Sequence, residues 1–141
     1  MAAVNDVVWE QGEDFVMNLI YKENEQPVDL TGYEVRMDIA SDKTPGVFLT
    51  LNSHDVVGTD SEGKALDTTG VVDNEITLDA EGNINVFISR FVTLPGGAIG
   101  NRLPTGNVFI YDLFVRELSS NRQKKLVKGS ITVNKSVTLW N

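Results

Sequence analysis

Cysteine is absent from this 141-residue chain, which excludes a disulfide, a zinc–thiolate site and a thiol nucleophile. Histidine occurs once, at His54, so a histidine-based metal site is excluded, because such sites usually take two or three histidine ligands. Long apolar runs are also missing: none approaches 18 residues, and residues 1–20 hold four acidic side chains and no basic one. We therefore expect neither a transmembrane helix nor a signal peptide.

Basic residues are few. Twelve Lys and Arg stand against twenty Asp and Glu, which gives a net charge of −8. Binding to nucleic acid requires clustered bases that neutralise phosphates. We expect no nucleic-acid partner and no membrane partner.

The charge is divided unevenly along the chain. Residues 1–85 hold 18 acids and 4 bases, a net charge of −14, whereas residues 86–141 hold 2 acids and 8 bases, a net charge of +6. An acidic pole and a basic pole would orient the docking of subunits. Strands from both halves interleaved in one sheet would mix the charges instead, and the sequence leaves both arrangements open.

The length indicates one domain. A chain of 15.5 kDa buries roughly two thirds of its unfolded surface, which suffices for a core without disulfides. We expect a single β-sandwich domain over residues 1–141. Two stretches rich in turn-forming residues predict loop insertions at about 52–74 and 90–106.

The longest strand pattern covers residues 107–118, which lack Gly and Pro and are rich in β-branched and aromatic types. Alternation places four apolar side chains on one face, which we interpret as core: Phe109, Tyr111, Leu113 and Val115. The other face carries Val108, Ile110 and Phe114 beside charged residues. This second face needs a cover, either a loop of the chain or another subunit, so its three apolar residues are interface candidates.

Shorter strand patterns flank this segment. Val35, Met37 and Ile39 alternate with charged residues, which is typical of a strand with one solvated side. Asp79 and Gly82 predict a type I turn with a following bulge between two strands. Some eight or nine such strands, with no helical pattern of ten residues, predict an all-β fold, an antiparallel β-sandwich.

The segment 90–106 combines four Gly and two Pro with apolar side chains. Loops of this length inside a compact domain are usually functional or disordered, and the apolar residues favour a function. Its candidate interface residues are Phe91, Val92, Leu94, Ile99 and Leu103.

Catalytic signatures are weak. His54 lies in a polar stretch without a second histidine, a cysteine or a Gly-x-Ser-x-Gly turn, which favours a solvated side chain over a catalytic base. The acids between Asp55 and Glu81 are candidate oxygen ligands for calcium, but they match no EF-hand spacing and are typical of turns. A pair of carboxylates suffices for glycoside hydrolysis, yet no spacing supports it. We expect no enzymatic activity and no cofactor.

The aromatic residues allow three interpretations. Six are candidates for exposure: Trp9, Phe48, Phe87, Phe91, Phe114 and Trp140. They can stack on sugar rings, pack against a subunit, or belong to the sandwich core. Among these, Trp9 and Trp140, one near each end of the chain, join the interface candidates.

Several segments together resemble a known family. The segments are Gln11 to Phe15, Pro27 to Ala40, Gly82 to Ser89, Val108 to Leu113, and Leu126 to Val133 with Val137 and Thr138. In this order they are similar to a family of small tailed-bacteriophage virion proteins, in particular the N-terminal domains of baseplate upper proteins. The shared features are strand and turn patterns rather than a catalytic motif.

The resemblance implies an immunoglobulin-like β-sandwich that serves as a non-enzymatic assembly module in a phage tail, baseplate or neck. Such a protein would be made in the host cytoplasm, form a homo-oligomer that follows the virion symmetry, and bind other virion proteins. Residues 90–106 are longer and richer in Pro and Gly than the family's short helical turn, and residues 53–74 resemble an insertion. The alternative function is a carbohydrate-binding module for host-surface recognition.

Overall fold

The computed structural model describes residues 3–41, 47–53, 75–88, 93 and 108–137. Within these ranges the chain is all-β and contains no helix, so the predicted fold class is confirmed. No helix in the described part of the chain is long and apolar enough to cross a membrane. The predicted insertions at about 52–74 and 90–106 lie almost entirely outside the described residues.

Eleven strands occur in the described ranges. In chain order they are β1 (Ala3–Val4), β2 (Val7–Glu10), β3 (Phe15–Ile20), β4 (Lys22–Glu23), β5 (Gln26–Pro27), β6 (Tyr33–Ser41), β7 (Val47–Asn52), β8 (Glu75–Leu78), β9 (Asn83–Ile88), β10 (Val108–Glu117) and β11 (Arg122–Asn134).

The larger sheet has the order β1-β11-β10-β6-β7, with β2 also pairing with β11. Strand β10, the long strand predicted from the sequence, lies between β11 and β6 and pairs antiparallel with both. The two strands from the basic half of the chain, β10 and β11, therefore lie side by side in this sheet and are flanked by strands from the acidic half. Of the two arrangements that the sequence allowed, the interleaved one is the one the fold adopts here.

The smaller sheet has the order β3-β9-β8, and β4 and β5 form a separate hairpin. Strands β3, β9 and β8 take the places of strands B, E and D of an immunoglobulin domain. Strands β11, β10, β6 and β7 take the places of G, F, C and C′ in the opposite sheet. The topology is thus that of an immunoglobulin-like β-sandwich, as predicted.

One hydrophobic core fills the space between the two sheets. The four alternate residues of β10 predicted as core, from Phe109 to Val115, are all buried. Beside them on the same side of the larger sheet lie Val35, Met37 and Ile39 of β6. The smaller sheet contributes Met17, Ile84 and Val86 to the same cluster. Period-two alternation explains this outcome, because successive side chains of a strand point to opposite faces.

The turn between β8 and β9 has the predicted geometry. Asp79 Oδ1 accepts hydrogen bonds from the backbone N–H groups of Glu81 and Asn83, each at 2.9 Å. The hydrogen bond that the Asn83 side chain donates to Asp79 Oδ2, together with these backbone bonds, holds the pKa of Asp79 below its usual value. Gly82 adopts a φ of 81°, and an added Cβ would lie 2.7 Å from the backbone oxygen of Tyr21. Both conformation and space therefore demand glycine at this position.

The N-terminal arm, strands β1 and β2, is the part of the fold that the alternation pattern predicts least well. The apolar residues Val7 to Trp9 lie in β2, whereas the two-residue strand β1 is too short for an alternation pattern to predict it. Both strands pair parallel with β11, so the sandwich is not purely antiparallel. Asn5 lies between the two strands, and Tyr111 Oη donates a hydrogen bond of 2.6 Å to its carbonyl.

Candidate interaction surface

The solvent side of the larger sheet, called the outer face below, carries the side chains of β10 that alternate with its core residues. Their order along the strand is Val108, Ile110, Asp112, Phe114 and Arg116. The register with β6 sets Asp112 opposite Asp38, Phe114 opposite Arg36, and Arg116 opposite Glu34. The outer face therefore has an apolar end at Val108 and a charged middle.

The apolar end of the outer face is made by Val8, Val108 and Ile110. Val108 lies opposite Thr132 of β11, and Thr132 in turn pairs with Val8 of β2. The three side chains expose 63%, 45% and 46% of their surface, respectively. Val8 of β2 and the pair Val108 and Ile110 of β10 thus present branched aliphatic groups to solvent on the two strands that flank β11.

The charged middle of the outer face is organised by ion pairs. Arg36 Nε lies 3.2 Å from Asp38 Oδ1, and Arg116 pairs with Glu34. Lys125 Nζ lies 3.5 Å from Asp112 Oδ2. Exposed pairs of this kind contribute at most about 1 kcal/mol each to stability. Their main effect is to order long side chains across the sheet.

A groove of about 510 Å³ runs across this charged middle. Phe114 lies among its lining residues, and Lys125 Nζ sits 5.3 Å from the centre of the Phe114 ring. Carboxylates, guanidinium groups and the amide of Asn52 also line the groove. Such a mixture supplies donors and acceptors around one aromatic ring, which suits a polar ligand or a polar protein surface.

The structure places the sequence-predicted interface residues in three groups. Val108, Ile110 and Phe114 share the outer face, as the alternation pattern predicted. The prediction for Trp9 is wrong: its side chain is fully buried, packs on Phe15 with ring centres 5.1 Å apart, and donates from Nε1 to the Glu13 carbonyl. The remaining candidates lie outside the described residues: Phe91, Val92, Leu94, Ile99, Leu103 and Trp140.

Sequence reasoning missed two parts of the outer face. Val8 was not among the interface candidates, although in a strand adjacent side chains point to opposite faces, so Val8 and Trp9 could not both be exposed or both be buried on the same side. The opposition of Asp112 and Asp38 depends on the register between strands that are far apart in sequence. No local pattern carries that information.

Two tyrosines lie at the end of the sandwich where β10 and β11 are joined. Tyr21 Oη donates a 2.8 Å hydrogen bond to Glu23 Oε1, and Tyr33 Oη donates a 3.0 Å bond to Glu117 Oε2. Burial, reinforced by the bond to Glu23, raises the pKa of Tyr21 to about 12. Both phenols therefore stay protonated in neutral solution.

We expect the Tyr21 phenol to make the fold sensitive to alkali. In the unfolded chain Tyr21 ionises near its ordinary pKa of 10.0, whereas the folded protein holds the proton to about pH 12. The stabilisation is therefore complete below pH 10 and is lost as the pH rises from 10 to 12. Urea unfolding of the wild type and of Tyr21→Phe between pH 8 and pH 12 checks this, and the variant should lose less stability. An equal fall of the unfolding free energy with pH in the two proteins would contradict this prediction.

The candidate metal ligands remain without a site in the described part of the chain. Within those residues, no group of three or more His, Cys, Asp or Glu side chains is arranged to hold a metal ion. Asp79, one of the acids considered for calcium, serves the turn instead. His54 and the acids from Asp55 to Asp73 lie outside the described residues.

Comparison with known proteins finds similarity to solved structures. No family model matches the chain, and no curated protein matches it. The extracellular domain of the voltage-gated sodium channel beta4 subunit, solved as parallel homodimers that explain its role in cell-cell adhesion, aligns with a TM-score of 0.41 and 13% identity. The alignment covers 99% of this chain and 91% of that chain.

Proposed function

We propose that this protein is a non-enzymatic structural module of a bacteriophage virion. It is made in the host cytoplasm and assembles with itself and with neighbouring proteins of a tail, baseplate or neck. The observation that carries the proposal is the apolar end of the outer face, where Val8, Val108 and Ile110 remain exposed although the core between the sheets is closed. The resemblance of the strand and turn segments to phage virion proteins supplies the biological setting.

The outer face has the properties of a recognition surface. Interface centres are typically poor in charge, which describes the apolar end, and their surroundings are polar, which describes the adjacent ion pairs. Charged groups around an apolar centre orient the partner and exclude wrong partners more than they add affinity. The apolar end therefore supplies the binding energy and the charged middle supplies the orientation.

The test compares one substitution on the outer face with one on the opposite side of the sandwich. Ile110→Lys places a charge within the apolar end, whereas Thr77→Lys places the same charge on the solvent side of the smaller sheet. Both side chains are at least partly exposed, so we expect both variants to melt close to the wild type. Ile110→Lys should be missing from purified particles, and Thr77→Lys should be incorporated. A wild-type protein that is absent from purified particles overturns the proposal.

A second function is favoured by the groove. Phe114 among hydrogen-bonding side chains is the kind of arrangement that holds a sugar ring, and this supports the alternative of a carbohydrate-binding module for the host surface. Titration with host-surface glycans, for the wild type and for Phe114→Ala, separates the two functions. Binding that Phe114→Ala abolishes would favour the module, and no binding at millimolar sugar would reject it.

A further inference from the structure

Strand β3 is an edge strand without the usual features that block an edge. Among the residues that the structure describes, it pairs with β9 alone, and its other side borders a groove of about 360 Å³ that β2 also lines. Its six residues, Phe-Val-Met-Asn-Leu-Ile, include no proline and no charged side chain. Natural edge strands usually carry a proline or a charged side chain, because an open edge without them pairs readily with another strand.

The backbone groups that point away from β9 belong to Val16, Asn18 and Ile20. Tyr21 N donates to the carbonyl of Gly82 on the β9 side. Backbone groups alternate in direction along a strand, so the residues one, three and five positions before Tyr21 direct theirs to the open side. Three N–H groups and three carbonyls are thus available for a further strand.

The solvent side of β3 and β9 is free of charge. Val16 and Ile20 expose 60% and 57% of their surface, and Val16 lies directly opposite Phe87. The remaining outward positions of the two strands hold asparagine: Asn18, Asn83 and Asn85. In a chain with a net charge of −8, this uncharged surface brings two copies together without setting like charges directly against each other at the contact.

We propose that two copies of this chain associate through β3, which pairs antiparallel with β3 of the second copy about a two-fold axis at Asn18. Residues that lie directly opposite each other must belong to the same face of the joined sheet. The register centred on Asn18 meets this condition: Val16 faces Ile20 of the second copy, Asn18 faces Asn18, and Met17 faces Leu19.

The register sets complementary side chains opposite each other on both faces of the joined sheet. On the solvent side, the exposed aliphatic groups of Val16 and Ile20 cover each other. On the core side, the half-buried Leu19 meets Met17 and gains the neighbour that it lacks at the open edge. The two smaller sheets become one sheet of six strands. This association uses a different surface from the outer face and does not depend on a role in a virion.

The first test uses the absence of cysteine. Directly opposite residues with paired backbone groups lie about 5.5 Å apart at Cα, within the range of about 4.4–6.8 Å that a disulfide spans. Asn18→Cys should therefore form a disulfide-linked dimer under mild oxidation at micromolar concentration. Asn85→Cys, on the same face but on the central strand β9, is the matched control and should stay monomeric.

The second test examines the register. Sedimentation equilibrium should show that Val16→Lys weakens dimerisation by at least about tenfold, because the charge then meets Ile20 of the second copy. Adding Ile20→Glu to Val16→Lys brings opposite charges together across the axis and should restore dimerisation. Adding Ile20→Lys should not.

A wild-type protein that sediments as a monomer up to millimolar concentration, with equal crosslinking at positions 18 and 85, overturns the proposal. Crosslinking at position 18 without rescue by Ile20→Glu overturns the stated register. A wild-type dimer, crosslinking at position 18 but not at position 85, and rescue of Val16→Lys by Ile20→Glu support the proposal and its register.

Discussion

Replacing Trp9 by alanine should lower the free energy of unfolding by about 3–5 kcal/mol, the usual cost of removing a fully buried tryptophan. The indole fills core space against Phe15 and satisfies its own N–H by donating 2.6 Å to the Glu13 carbonyl. Truncation leaves a cavity and an unpaired carbonyl at the point where the chain passes from the larger sheet to the smaller one. Chemical denaturation monitored by circular dichroism measures the loss.

Val8 provides the matched control, because it is the adjacent residue of β2 and points outward. Val8→Ala should change the stability by no more than about 0.5 kcal/mol, as is usual for exposed positions. If Trp9→Ala changed the free energy of unfolding as little as Val8→Ala and instead weakened association, Trp9 would be an interface residue, as the sequence predicted, and not a core residue.

Gly129→Ala should displace the N-terminal arm and cost about 3 kcal/mol or more, because steric overlap and lost hydrogen bonds add together. A Cβ at this position would lie 2.0 Å from the backbone oxygen of Asn5 and 2.6 Å from its carbonyl carbon. The clash involves backbone on both sides, so no side-chain rotation relieves it. The bond from Tyr111 Oη to Asn5 and those from Ser130 to Asp6 depend on the same approach.

Thermal melting and amide exchange of β1 and β11 measure this effect. Gly32→Ala is the control: Gly32 has a φ of 82° but nothing within 4 Å of an added Cβ, so it isolates the conformational cost of about 1–2 kcal/mol. In the Gly129→Ala background, Tyr111→Phe should have little further effect, since the arm is already displaced. If Tyr111→Phe lowered the stability of Gly129→Ala as much as that of the wild type, the arm would still be in place and the steric argument would fail.

The sequence predicted the fold well where the pattern is local. The alternation of β6 and β10 identified their buried faces, and Asp79 with Gly82 identified the turn before β9. It also placed Val108, Ile110 and Phe114 on one solvent face. These features depend on side-chain direction and turn geometry, which a few neighbouring residues determine.

The same reasoning failed for the N-terminal arm. An aromatic residue near one end of the chain was consistent with an interface, and nothing nearby revealed that β2 pairs parallel with β11 and turns Trp9 into the core. The sequence around Gly129 does not reveal why this position holds glycine. The structure shows it as the position where the backbone at Asn5 crosses closely over β11.

By itself, the sequence determined that the chain is an all-β sandwich, which faces of its long strands are buried, and where its tight turns lie. Only the tertiary structure decided which strands are neighbours, and thereby the opposition of Asp112 and Asp38, the apolar end formed by β2 and β10, and the open edge of β3. The physical reason is the range of the interactions. A side chain's face follows from its own strand, whereas its partner across the sheet depends on pairing between segments that are distant along the chain.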